Sequence, residues 1–254
     1  MKLKDRYVLE KRLGADALGV TYSALDLRQR EVGLPDDHVS VKVLRNHVVE
    51  NLGMLNIYQE EISRSRKLQC ENIVAIFDYD RDGDHFFVVK ELMTGEILAD
   101  YLKREKRLSK PQALKVIHGI CNALKVAHDR DILHTHLSPD AIFYTDDGVA
   151  KLFEFGIDEI LPGEEARAMY TSPERRINHQ YSKQDDIFAA AVIAYELLSG
   201  SHPFKGKPAY ASTAPASRLW TMPGTWQALK DGLALDPGER AQTIDEFWKA
   251  LPKN

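Results

Sequence analysis

The stretch DILHTHLSPDAIFY, Asp131 to Tyr144, decides how the chain is read. Two histidines, His134 and His136, flank one threonine, and Ser138, Pro139, Asp140 and Ala141 follow. Two readings of the histidines compete. His-x-His with Asp140 or His128 nearby has the residue types of a metal site, because imidazole and carboxylate both ligate transition metals. The plainer reading is a structural turn whose rings pack inside the protein. What surrounds the stretch separates them.

The chain has 254 residues and is 44% hydrophobic, enough to bury a substantial core in one large domain or two lobes. Its net charge is -4 with 28% charged residues, so it lacks the basic surface that nucleic acid selects. No apolar run is long enough to cross a bilayer. The start, MKLKDRYVLE, has no apolar signal-peptide core. The expectation is a soluble cytoplasmic segment with no nucleic-acid and no membrane contact, its Cys70 and Cys121 both reduced.

Upstream of the stretch the pattern is strands. Tyr7–Leu13, Val20–Leu25, Val39–Leu44, Ile73–Tyr79 and His85–Leu92 are rich in β-branched or aromatic residues. Arg81–Asp84 (RDGD) makes a hairpin turn, because Asp-Gly supplies positive φ. Asn56–Leu68 has helical composition, and DLRQREVGLPDDH is read as a polar loop. From about Thr94 the pattern turns helical. In SKPQALKVIHGICNALKVAH, Ser109 is an N-cap, Pro111 lies in the first turn, and Ala113, Ile117, Ile120, Leu124 and Ala127 make one apolar face. DIFAAAVIAYELLSG, Asp186 to Gly200, is apolar all round, as in a helix buried on every side. Ser212–Ser217 reads as a flexible patch and TIDEFWKAL as a last amphipathic helix. The predicted architecture is α+β: a small β-rich lobe over residues 1–93 and a larger, mainly helical lobe over 94–254.

Seven landmarks then fall in one order: LGADALGVTY after a strand, VSVK on a later strand, a glutamate-bearing helix, HTHLSPDA, KLFEFG, YTSPE with the Asp186 helix, and a late Pro-x-x-Arg. Together they resemble the eukaryotic-like protein kinase fold, especially bacterial Ser/Thr kinase domains, over roughly Tyr7 to Leu251. In that family a Gly-rich loop and a strand lysine hold ATP phosphates, and a helix glutamate holds the lysine. A catalytic-loop aspartate accepts the substrate proton, and an asparagine and the aspartate of Asp-Phe-Gly hold magnesium.

The resemblance assigns the loop to Gly14–Val20, the strand lysine to Lys42 and its partner to Glu61, with Glu60 as the alternative. Asp16 replaces the middle glycine of the loop. Either its carboxylate stands where phosphate should approach, with the wrong sign, or it points to solvent. Lys90 takes the gatekeeper position, where a buried ammonium needs a partner such as Glu61 or Glu154. The implied nucleotide pocket comprises Gly14, Gly19, Val20, Lys42, Glu61, Glu91, Met93 and Phe143.

The catalytic loop departs further. His136 stands for the catalytic aspartate, Ser138 for the phosphate-steadying lysine and Ala141 for the metal-binding asparagine. Thr135 replaces the arginine that reads a phosphorylated activation segment. Glu154 stands for the metal aspartate and is the one metal-ligand candidate. From Phe155 to Met169 there is no Ser or Thr. Scaffold positions persist: His134 and Phe155 in the spine, Glu174 with Arg240, and Asp186 beneath the catalytic loop. The resemblance therefore implies a pseudokinase that binds a protein partner or acts allosterically, needing no cofactor and holding ATP and Mg weakly if at all. The alternative is a weak or unconventional ATP-dependent transferase using Lys42 and Glu154.

Overall fold

The computed structural model describes residues 1–33, 35–161, 167–210, 215–216 and 223–252. The chain divides into two compact units. The first comprises Met1–Gln69 and Val74–Thr94 with residues 159–161; the second takes Cys70–Ile73, Gly95–Asp158 and the described residues from 167 onward.

The first unit is built on an antiparallel sheet. Its strands are β1 (Lys2–Leu3), β2 (Tyr7–Ala15), β3 (Gly19–Asp26), β4 (His38–Leu44), β5 (Ile76–Asp82) and β6 (His85–Glu91), in the order β1-β2-β3-β4-β6-β5. Alternation turns one face inward, where Tyr7, Ala24, Val39, Val41, Phe87 and Val89 form a core with Leu3. The β5–β6 hairpin turns at Gly83 with φ of 57°, as Asp-Gly chemistry expects. A helix over Leu52–Ser65 begins four residues earlier than composition suggested, because Asn51 caps it by accepting the Met54 N–H at 3.2 Å. Two five-residue helices, Leu27–Glu31 and Asn46–Glu50, were not legible as helices. The first starts inside the predicted polar loop, where Asp26 caps it.

In the second unit the helix Lys110–His128 follows Ser109, whose N–H donates to Gln112 Oε1 at 3.1 Å. The predicted face is buried at every position from Ala113 to Ala127. The helix Lys183–Ser199 buries residues on all sides, from Asp185 through Tyr195, and ends at Gly200 with φ of 73°. A small sheet, β7 (Gly95–Ile97), β8 (Ile142–Thr145) and β9 (Ala150–Leu152), takes in Ile142–Tyr144, the end of the Asp131–Tyr144 stretch. Cys70–Ile73 joins this unit because Asn72 accepts the Leu152 N–H at 2.9 Å and donates to the Ala150 carbonyl at 3.0 Å. The helix Ile244–Ala250 is capped by Thr243. The 212–217 stretch lies outside the described residues except at 215 and 216. Neither cysteine is in a disulfide. Among the described residues no helix is long and apolar enough to cross a membrane.

Candidate functional site

In the first unit, β2 and β3 meet in the tight turn Asp16–Leu18, closed by the Asp16 N–H on the Gly19 carbonyl at 3.0 Å. Arg45, just past β4, grips this turn. Its N–H donates to the Leu18 carbonyl and its Nε to the Asp16 carbonyl, both at 2.9 Å. Gly19 is required for close approach: a Cβ there would lie 2.6 Å from the Val43 carbonyl oxygen. Gly14 has open space around it, so its type is not dictated by packing. Val20 sits in β3 opposite Val43.

Lys42 lies in β4 between Thr21 and Val88 and is 3% exposed. A charge buried that deeply needs a partner, and Asp16 Oδ2 stands 2.8 Å from its ammonium. The other carboxylate oxygen, Oδ1, accepts the Leu18 and Gly19 N–H groups at 2.8 and 2.9 Å. The reading in which Asp16 points only to solvent is thereby corrected. The side chain is half exposed, yet the Asx turn with Leu18 and Gly19 aims it back onto Lys42. Glu61 is buried and accepts from Ser65 Oγ at 2.7 Å. Lys90, in β6 opposite Ser40, is 9% exposed and so out of bulk solvent. Glu91 Oε1 accepts the Ala75 N–H at 2.8 Å, which leaves that carboxylate anchored to the chain beside β5. Met93 follows β6 and is half-buried.

In the second unit Asp186 organises the opening stretch from below. It accepts the His134 N–H at 2.9 Å, the Thr135 N–H at 3.2 Å and His128 Nε2 at 2.8 Å. Burial pushes its carboxyl up, but these donors more than compensate and hold it below the usual carboxylate range. Thr135 is drawn into positive φ, 72°, and its carbonyl is held by the Arg175 guanidinium. His134 packs on Phe155 with ring centres 4.7 Å apart and planes tilted by 45°, and His136 packs on His134 at the same distance. Neither ring nitrogen of His136 reaches a hydrogen-bond partner among the described residues. Burial, with Arg167 and Arg175 nearby, pushes the His136 imidazole down to about 3. Burial and the neighbouring His136 do the same to His134, also to about 3.

The histidines are thus packing groups. His128 is committed to Asp186, and no cluster of three metal-ligating side chains occurs among the described residues. Ser138 and Ala141 are buried at the ends of the 3-10 turn Pro139–Ala141, whose Ala141 N–H bonds the Ser138 carbonyl at 3.0 Å. Phe143 lies half-buried in β8, paired with Ile97 and Lys151. Glu154 follows β9 with φ of 66°.

Farther along, Asp158 collects Arg167 Nε at 3.0 Å, Arg175 Nη2 at 2.5 Å and the Tyr181 hydroxyl at 3.3 Å. This cluster was not read from the sequence. Its signal was an acid two residues after Gly156 and an arginine directly after YTSPE. Tyr170 is structural: its hydroxyl donates to Glu196 at 2.8 Å, and burial raises its pKa. Arg240 grips Glu174 with two nitrogens, at 2.7 and 3.2 Å.

A β-rich first unit carrying a Gly-containing loop and a buried strand lysine, with a helical second unit carrying this loop and segment, defines a kinase-like domain. The protein kinase domain family matches residues 7–227, and the chain belongs to that family. It is 31% identical to the Ser/Thr-protein kinase PknA of Corynebacterium glutamicum, over 85% of this chain and 50% of that one. It is 25% identical to PrkC of Bacillus subtilis, over 97% of this chain and 40% of the relative. The chain thus spans half or less of the length of these curated relatives. The Mycobacterium tuberculosis PknI kinase domain has a similar fold, with TM-score 0.73 at 22% identity over 96% of this chain and 94% of that one.

ATP and magnesium, which the family implies, fit these residues poorly. The strand lysine and two loop N–H groups are engaged by an internal carboxylate, and a methyl group stands at Ala141, where a metal ligand is needed.

Proposed function

We propose that the chain is a pseudokinase domain, a kinase-fold module that works through protein contacts and does not transfer phosphate. The observation that carries this is the setting of His136, the residue that the resemblance puts at the catalytic-base position. Its ring is buried and packed on His134, neither ring nitrogen reaches a hydrogen-bond partner among the described residues, and burial pushes the imidazole down to about 3. An efficient base needs a pKa near the operating pH and a free path to the substrate hydroxyl, and contributes about 10²–10⁴-fold when it has both. His136 has neither. Ala141 cannot ligate metal, Ser138 carries no charge, and the Glu154 carboxylate is one methylene farther from its backbone than aspartate's. A displacement of about 1 Å can cost about 10²-fold, so these losses compound.

The retained scaffold supports a binding role. Asp186, the His134–Phe155 ring contact and the Arg240–Glu174 pair hold the catalytic-loop backbone and the Glu174 end of the following segment in place without any catalytic group. A kinase-shaped scaffold held from within in this way suits a protein partner that reads the shape. A radiometric assay with ATP, magnesium or manganese, and a generic basic acceptor tests the reading. Label at the level of a Lys42→Met control is expected. Label above that control, on acceptor or chain, would overturn it.

A further inference from the structure

We propose that Asp16 is a built-in competitor for phosphate, so that this loop accepts a nucleoside triphosphate only when the Asp16 carboxylate swings out. The proposal rests on reading residues 14–20 as the family's phosphate loop. Both carboxylate oxygens are used as phosphate oxygens would be. Oδ2 lies 2.8 Å from the Lys42 ammonium, and Oδ1 accepts the Leu18 and Gly19 N–H groups at 2.8 and 2.9 Å. These donors, one ammonium and two converging N–H groups, are of the kind that cradles an anion.

The contact is preorganised. Arg45 ties the turn to the end of β4 through the Leu18 and Asp16 carbonyls, and the Asp16 N–H closes the turn on Gly19. A carboxylate so tethered competes at high effective concentration. The Lys42 side chain is 4% exposed and that of Asp16 is 51% exposed. The cation is therefore fixed, while the anion faces water and has room to leave. An external polyphosphate binds only the fraction of molecules in which it has left, and its apparent affinity falls by that fraction.

The test is a titration of ATP, inorganic tripolyphosphate and adenosine into the wild-type chain and its Asp16→Asn and Asp16→Gly variants, read by calorimetry and by thermal melting. Asp16→Asn keeps the size and the turn acceptor but removes the charge, so it decides the matter if Asp16→Gly fails to melt cooperatively. Affinity for ATP and tripolyphosphate should rise at least about tenfold in Asp16→Gly, the effect of a contact that fills the loop about nine-tenths of the time, and by a smaller but measurable factor in Asp16→Asn, whose amide oxygen still accepts the Leu18 and Gly19 N–H groups. Adenosine, which carries no phosphate, should not distinguish the three proteins. Adding Lys42→Met to Asp16→Gly should erase the gain. Equal ATP affinity in wild type and both variants would overturn the proposal and leave the pseudokinase reading standing. A gain in binding accompanied by Lys42-dependent phosphate transfer would uphold it and overturn that reading.

Discussion

Asp158 sits between two arginines of its own unit, Arg175 Nη2 at 2.5 Å and Arg167 Nε at 3.0 Å. In a phosphorylated kinase a phosphate would gather such a group. Here a genetically encoded carboxylate does so, and Arg175 passes the constraint on to the Thr135 carbonyl. All three side chains are less than one-fifth exposed. Asp158→Asn should remove the counter-charge that Asp158 supplies to both arginines and cost about 2–3 kcal/mol, less than a fully buried pair because water still reaches the site. At about 2–4 °C per kcal/mol, the melting temperature should fall by about 4–12 °C. An unchanged melting curve would show that the cluster is not a clamp.

The paired histidines predict how stability depends on pH. Both imidazoles are pushed from 6.5 down to about 3, chiefly by burial. Between those values the unfolded chain binds protons that the folded chain does not. Stability is therefore complete above pH 6.5 and declines as pH falls towards 3, by about 1.4 kcal/mol per pH unit for each histidine. Replacing His136 with Leu should remove about 1.4 kcal/mol per pH unit from that slope. Urea unfolding across the window measures it. An identical slope in wild type and His136→Leu would show that His136 titrates normally.

Arg240 should tolerate no substitute. Its side chain is fully buried, gripping Glu174 and the carbonyls of Ala234 and Gln184. Lysine carries its donors on a single nitrogen and cannot reproduce the spread, planar fork that reaches all of these partners. Arg240→Lys should cost about 3 kcal/mol or more by leaving buried acceptors unmet. Denaturant midpoints read the loss, and a change under about 0.5 kcal/mol, typical of surface sites, would contradict the assignment.

The parts of this fold that were legible from sequence are those with a period or an order. The face Ala113 to Ala127 and the all-round apolar helix after Asp186 announce themselves by spacing, and the landmark order placed His134, Phe155, Glu174 and Arg240. The five-residue helices Leu27–Glu31 and Asn46–Glu50 are too short to show a period. The Asp16–Lys42 and Asp158–Arg175 pairs span 26 and 17 positions, and depend on how a turn aims one carboxylate. Asp16 was recognised as a charge in the wrong place. That its charge turns inward to satisfy Lys42 required the Leu18 and Gly19 N–H bonds to be seen.

Intact-mass spectrometry of the purified chain and of a protein acceptor, after prolonged incubation together with ATP and magnesium, decides whether the chain transfers anything, because it detects a phosphoryl or nucleotidyl group left on either one. An unchanged mass is expected, with His136, Ala141 and the engaged Lys42 as the physical reasons. A stoichiometric mass increase lost in Lys42→Met would contradict the pseudokinase reading and make the chain an enzyme.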